Sequence, residues 1–280
     1  MIMPELPEVE TVKRGLEPVM QGFIFERVTL NRLNLRFPFG KNFISRIQGK
    51  TLTSLTRRGK FLKATLSSND VLYMHLGMSG RFTIDNNPTA IYDSRNSTNP
   101  KHDHVIFEMN NGVRITYNDP RRFGFMELIA PGEPSRLDKM GPEPLDNMFN
   151  GPYLFNKLSG KKNTIKSALL DQSIISGLGN IYVCEAIFKA KISPKRLAGK
   201  VTIKETEILV NEIKAVIKKA IEAGGSSLKD FASVDGNLGY FQHSFDVYAQ
   251  AKMPCKVCTT PIERIVQNGR SSFYCKACQK

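Results

Sequence analysis

No apolar run in this chain approaches the roughly 20 residues that a bilayer-spanning helix requires, so no membrane-spanning helix is expected. It opens with no secretory signal and contains neither a low-complexity tract nor an internal repeat. Secretion and repeat architectures are therefore unexpected. Cysteine is almost missing from the first 254 residues, where Cys184 stands alone. A disulfide framework is the weaker reading on that ground, and a reducing, cytoplasmic setting is expected. Acidic residues are also scarce, with 26 Asp+Glu against 40 Lys+Arg and a formal net charge of +14. So basic a chain suits a phosphate backbone as partner, a property that ribosomal and membrane-surface proteins share.

The remaining four cysteines crowd into the C-terminus as Cys255-x2-Cys258 and Cys275-x2-Cys278, with sixteen residues between the pairs. Each pair can present two sulfurs to one ion, and the intervening stretch is long enough for a β-hairpin that returns the second pair. One structural zinc in a tetrahedral thiolate cage is expected. Lys256, Arg264, Arg270 and Lys276 make this a basic finger on a basic protein.

Upstream, short runs rich in β-branched and aromatic residues occupy 23–30, 51–57, 61–66, 71–76, 80–84, 104–108, 113–118 and 125–129. Strands at this spacing predict an antiparallel sandwich or barrel-like sheet. Asn110-Asn111-Gly112 has hairpin-turn chemistry, and the polar stretch 85–100 is expected to be an exposed loop. A Gly/Pro-punctuated connector over 130–144 then leads to a helical half. There, 203–223 carries apolar residues at helical spacing and ends at Gly224-Gly225, while 164–171 and 180–189 predict two shorter helices. We divide the chain into residues 1–133, a linker 134–150, residues 151–250 and a finger 251–280.

The opening Met3-Pro4-Glu5-Leu6-Pro7-Glu8-Val9-Glu10 reads, taken alone, as a helix start. Pro7 suits a first turn, and Glu8 and Glu10 suit the positive end of the helix dipole. The same run stands in one chain with Arg57-Arg58-Gly59-Lys60, His75-Leu76-Gly77-Met78-Ser79-Gly80, Lys101-His102-Asp103-His104, Asp119-Pro120-Arg121-Arg122-Phe123-Gly124, Gly177-Leu178-Gly179-Asn180 and Gly269-Arg270-Ser271-Ser272-Phe273-Tyr274-Cys275. In this order, almost end to end, they resemble the formamidopyrimidine-DNA glycosylases, base-excision enzymes that remove oxidised purines and nick the strand. The resemblance implies an α+β multidomain fold: an N-terminal antiparallel β-sandwich with flanking helices, then a helix-two-turn-helix domain with a zinc-finger hairpin. Leu6 separates the chain from the related endonuclease VIII branch, which prefers oxidised pyrimidines and has glycine there.

The resemblance also implies roles. Pro4 is the nucleophile, as an N-terminal secondary amine. An α-amino group titrates near 8 and a lysine near 10.4, so at pH 7.5 about a quarter of the former is neutral against about a thousandth of the latter. Glu5 is the implied general acid/base, supported by Glu8, while Lys60 donates protons and Arg270 serves δ-elimination. A base within a duplex must be flipped out, and Met78, Arg121 and Phe123 are the implied wedge that fills the gap. Asn180, His102, Arg121 and Lys161 are implied phosphate contacts, joined by His75, Arg122 and Tyr240. Residues 226–242 resemble a segment that folds over the extruded base. Damaged double-stranded DNA is the expected partner, bound by a monomer.

Two departures from the family pattern bear on function. Met1-Ile2 precede Met3-Pro4, so a free Pro4 amine requires translation from Met3 and methionine removal. With the extension retained, the Pro4 nitrogen is an amide, and a non-catalytic damage-binding protein is the alternative. Residues 248–255, Tyr-Ala-Gln-Ala-Lys-Met-Pro-Cys, stand where the family usually has Gly-Arg-x-Gly before Pro-Cys.

Overall fold

Helix α1 (Leu6–Met20) begins in a reciprocal capping box: Glu5 and Glu8 exchange side-chain and backbone hydrogen bonds, and Pro7 lies in the first turn. Such caps are worth about 1 kcal/mol. Val9, Val12, Leu16 and Val19 recur at helical spacing and are buried in one continuous core. The sequence was read only as a helix start, yet the buried stripe keeps its helical spacing to the last turn, past Gly15 and Pro18.

The computed structural model describes residues 3–85, 99–226 and 240–280. Most of the expected 85–100 loop and of the 226–242 segment lies outside the described residues. Eight strands follow α1: β1 (Phe25–Leu30), β2 (Leu52–Arg58), β3 (Phe61–Leu66), β4 (Val71–His75), β5 (Arg81–Asp85), β6 (Asp103–Met109), β7 (Arg114–Asn118) and β8 (Phe125–Ile129). They form two antiparallel four-stranded sheets, ordered β1-β6-β7-β5 and β2-β3-β4-β8. Leu62, Ala64 and Leu66 on β3 alternate with half-buried neighbours, the period-2 pattern of a sheet with one buried face. They share a core with Phe107, Ile115 and Tyr117 of the other sheet, which makes the pair a sandwich. A short helix, α2 (Phe43–Ile47), sits in the β1–β2 connection and was not foreseen.

The second group of helices is α3 (Gly151–Leu158), α4 (Ile165–Leu169), α5 (Asn180–Lys189) and α6 (Ile203–Glu222). Only α3 escaped the sequence reading, since its eight residues follow directly on the Pro-rich connector. α6 starts in a Thr202/Glu205 capping box and ends where Gly224 and Gly225 take φ of +73° and +80°. α5 is buried from Ile181 to Phe188, as expected of a core helix rather than an amphipathic one. Strands β9 (Glu263–Gln267) and β10 (Arg270–Tyr274) form the predicted hairpin between the cysteine pairs.

The chain resolves into two compact units, Met1–Asp138 with Gly224–Tyr240, and Lys139–Ala223 with Phe241–Lys280.

Candidate active site and zinc centre

In the first unit, Pro4 is buried immediately before α1, and Glu5 and Glu8 are each only 2% exposed. Burying carboxylates is costly unless hydrogen bonds satisfy them. The Glu5 N–H donates to Glu8 Oε2 at 2.9 Å, while Glu8 Oε1 accepts from the Ser226 N–H at 2.8 Å and its hydroxyl at 2.9 Å. Gly225 lies against the same carboxylate, with only 3.0 Å between Oε1 and the position a Cβ would take. Glu8 thus ties the start of α1 to Ser226, across 218 residues.

Lys60, 6% exposed, occupies the β2–β3 turn. Arg57 sets that turn against the helix: its Nε meets Glu10 Oε2 of α1 at 2.9 Å, and its Nη1 donates to the Gly59 carbonyl at 3.1 Å. Glu10, expected only to favour the helix dipole, thus also holds Arg57. On β4, His75 pairs in register with Phe61 and stacks on Phe125 at 5.4 Å. Its Nδ1 accepts the Gly77 N–H at 3.0 Å, leaving Nε2 to carry the proton. Burial, followed by the charges of Lys60 and Arg36, pushes its pKa down to about 4. The His75 imidazole is therefore neutral at pH 7.

Met78 is half-buried and Phe123 is 43% exposed, with the Arg121 guanidinium 4.6 Å above the Phe123 ring. Exposed aromatic surface gains nothing from the core, so Phe123 is available to another surface. Arg122 is exposed at φ +55°, and His102 is half-buried in the short turn just before β6. Tyr240, 70% exposed, bridges in antiparallel fashion to Ser226.

The second unit brings Asn180 and the finger together. Asn180 opens α5 directly after Gly179, and its Nδ2 donates to the Ser271 carbonyl at 2.9 Å, one residue beyond exposed Arg270. Lys166, which the sequence reading passed over, reaches the same carbonyl at 2.9 Å and Ser272 Oγ at 2.6 Å. Lys161 is half-buried at a separate turn after α3. Glu185 of α5 accepts from the N–H groups of Asp246, Val247 and Tyr248 at 2.8 to 3.0 Å, and its burial holds its carboxyl above the usual range. No local pattern identified Glu185, because its partners lie sixty residues away.

The four Sγ atoms of Cys255, Cys258, Cys275 and Cys278 all lie within 4.8 Å of one another. Their closest approaches are 3.4 and 3.9 Å. A tetrahedron with Zn–S bonds of about 2.3 Å has sulfur–sulfur edges of about 3.8 Å, so the cage fits one zinc ion. The Val257 N–H donates to Cys255 Sγ at 3.5 Å.

Three family models match in sequence order: the formamidopyrimidine-DNA glycosylase N-terminal domain over residues 3–126, the H2TH domain of that enzyme over 140–232, and the zinc finger found in FPG and IleRS over 254–280. This chain belongs to the formamidopyrimidine-DNA glycosylase family. The Ruegeria pomeroyi formamidopyrimidine-DNA glycosylase is 52% identical over 283 residues, spanning 99% of this chain and 100% of that protein. A Rhodopseudomonas palustris enzyme of the same name is 49% identical over 292 residues, again with 99% and 100% covered. Among solved structures, MutM (Fpg) from Thermus thermophilus matches with a TM-score of 0.86 at 34% identity, over 99% of this chain and 98% of that one. Lactococcus lactis Fpg in complex with abasic-site DNA matches at 0.85 and 31%, with 99% of each chain covered. The zinc cage is thus the finger of this glycosylase family, and it would hold a structural ion with no open coordination position.

Proposed function

We propose that the chain is a bifunctional DNA glycosylase and abasic-site lyase that removes oxidised purines from double-stranded DNA. The observation that carries this reading is the burial of Pro4, Glu5 and Lys60 within one unit, in a member of a family whose relatives bear the glycosylase name. Ionisable groups withdrawn from water at such cost are groups whose proton affinities can be set for chemistry. With the mature chain starting at Pro4, the neutral amine attacks the sugar C1′ as the damaged base leaves with its bonding pair. Glu5 transfers the proton that opens the deoxyribose ring, giving an iminium on the proline nitrogen. Loss of the C2′ proton then expels the 3′ phosphate, and a second elimination, served by Lys60 and Arg270, expels the 5′ phosphate.

Met78, Arg121 and Phe123 fill the gap left by the flipped base, and Asn180, His102, Lys161, His75, Arg122 and Tyr240 serve phosphate positioning. Zinc supplies folding energy to the finger rather than a step of the reaction. The protein acts as a cytoplasmic monomer.

Borohydride trapping tests the mechanism. Protein translated from Met3 should form a covalent cross-link to a duplex carrying 8-oxoguanine, and peptide mapping should place it on Pro4. An adduct on Lys60, or full lyase activity in protein verified to retain Met1-Ile2-Met3, would refute the proline mechanism.

A further inference from the structure

The wedge side chains belong to two turns that are far apart in sequence. Met78 lies in the turn 76–80, closed by a 2.9 Å hydrogen bond from the Gly80 N–H to the Leu76 carbonyl. Arg121 and Phe123 lie in the turn 119–124, after β7. One carboxylate is bonded to both. Asp119 is 0% exposed; its Oδ1 accepts from Ser79 Oγ at 2.5 Å, and its Oδ2 accepts from the Gly124 N–H at 2.8 Å and the Tyr117 hydroxyl at 3.3 Å. Ser79 Oγ in turn accepts the Arg121 N–H at 3.2 Å.

Three of these four bonds end on or next to a wedge side chain: Ser79 beside Met78, Gly124 beside Phe123, and Arg121 itself; the fourth anchors the carboxylate to Tyr117 of β7. The backbones are packed so closely that a Cβ on Gly77, at φ +65°, would run into the backbone of Phe123 and Gly124. Gly80 and Gly124 likewise leave no room for a Cβ against the Tyr117 hydroxyl. The carboxylate's backbone is held as well. The Asp119 N–H donates to the His102 carbonyl at 3.0 Å, and the Asp119 carbonyl meets His104 Nε2 at 2.9 Å. The clasp therefore stands on β6 and has little freedom to move.

Resting on the proposed glycosylase reading, we infer that Asp119 is a positioning residue that locks the turns 76–80 and 119–124 into one rigid element. Base extrusion from duplex DNA then depends on a carboxylate that touches no DNA. An uncharged amide is a poorer substitute: its single oxygen can keep the Gly124 N–H, but its NH2 can meet Ser79 Oγ only by reversing that bond, which turns the Ser79 hydroxyl proton away and replaces bonds to a charged acceptor with neutral ones. Hydrogen bonds to charged groups are among the stronger ones in proteins, and a wedge displaced by about 1 Å loses much of its effect.

Asp119→Asn should lower single-turnover excision from a lesion-bearing duplex by about tenfold or more, the scale of one such bond. It should leave nicking of a preformed abasic site in single-stranded DNA within about twofold of the parent, since no base has to be displaced there. 2-Aminopurine placed opposite the lesion should show a smaller fluorescence rise with the variant. On a Met78→Ala/Phe123→Ala background, Asp119→Asn should cause no further loss on duplex. Ser79→Ala, which removes one arm of the clasp, should show the same selectivity more weakly and serves if the Asn variant fails to fold. Equal losses on both substrates, or additive effects on the wedge-less background, would overturn the inference. A parent protein that excises nothing from duplex would instead overturn the proposed function.

Discussion

Asn180 Nδ2 and Lys166 Nζ converge on one acceptor, the carbonyl oxygen of Ser271, each at 2.9 Å. Two helices of the second unit thereby grip the strand that carries Arg270, while Asn180 Oδ1 remains buried with no hydrogen-bond partner among the described residues. Asn180 thus combines a structural bond with an implied phosphate contact. Asn180→Ala should weaken DNA binding and also lower stability by about 1 kcal/mol, the worth of a single hydrogen bond. Arg270→Ala, at an exposed position, should weaken binding and δ-elimination without a stability change. Thermal melts alongside DNA titrations separate the two, and equal melting temperatures would show that the Ser271 bond contributes nothing.

The approach to the zinc finger stores backbone strain. Ala249 and Lys252 adopt φ of +60° and +70°, three residues apart, the spacing of the two glycines in the family's Gly-Arg-x-Gly. The chain has kept the left-handed conformation while losing the residue that adopts it without penalty. A left-handed non-glycine residue costs about 1–2 kcal/mol, partly offset by the greater chain entropy of unfolded glycine. Ala249→Gly and Lys252→Gly should therefore each stabilise the protein by about 0.5–1 kcal/mol. Denaturant titration provides the check, and destabilisation by either change would contradict the strain.

His75 makes the sandwich acid-sensitive. Its ordinary value of 6.5 falls to about 4 in the fold, chiefly through burial. Between those values the unfolded chain takes up a proton that the folded protein refuses. The contribution is complete above about pH 6.5, declines as pH falls toward 4, and changes no further below that. In His75→Asn the amide oxygen can replace Nδ1 as acceptor for the Gly77 N–H, and melting temperature should fall less steeply across this window. A slope equal to the parent's would exclude His75 as its source.

The thiolate cage should bind one zinc per chain in the reduced protein. Chelation, or Cys275→Ser, should release the metal and unfold the β9–β10 hairpin, because in such small modules binding energy is folding energy. Hydrogen exchange should show the hairpin amides losing protection while those of β3 and β4 keep theirs. Retention of hairpin protection without zinc would show that the docking of Lys166 and Asn180 suffices.

Periodicity and turn chemistry are local properties, and what depends on them was legible in the sequence. The bounds of β3, β8 and α5 match the structure, and α6 differs by one residue. The cysteine pairs and the hairpin between them could also be read directly, because each Cys-x2-Cys turn closes over four residues. Helix α3 was hidden by its short length beside the connector, and α1 by the Gly15 and Pro18 that fall within it. Family motifs supplied the names of Glu5, Lys60, Asn180 and Arg270, but nothing local showed how they are held.

Only the tertiary structure revealed those supports. Glu8 meets Ser226 across 218 residues, Arg57 meets Glu10 across 47, Asp119 meets Ser79 across 40 and Lys166 meets Ser272 across 106. In sequence, Lys166 is one more lysine in a basic stretch and Asp119 one more acid in a turn. Each acquires its role when the closing chain withdraws its charge from water, and which acceptors or donors wait there is decided by the packing of segments that carry no record of one another.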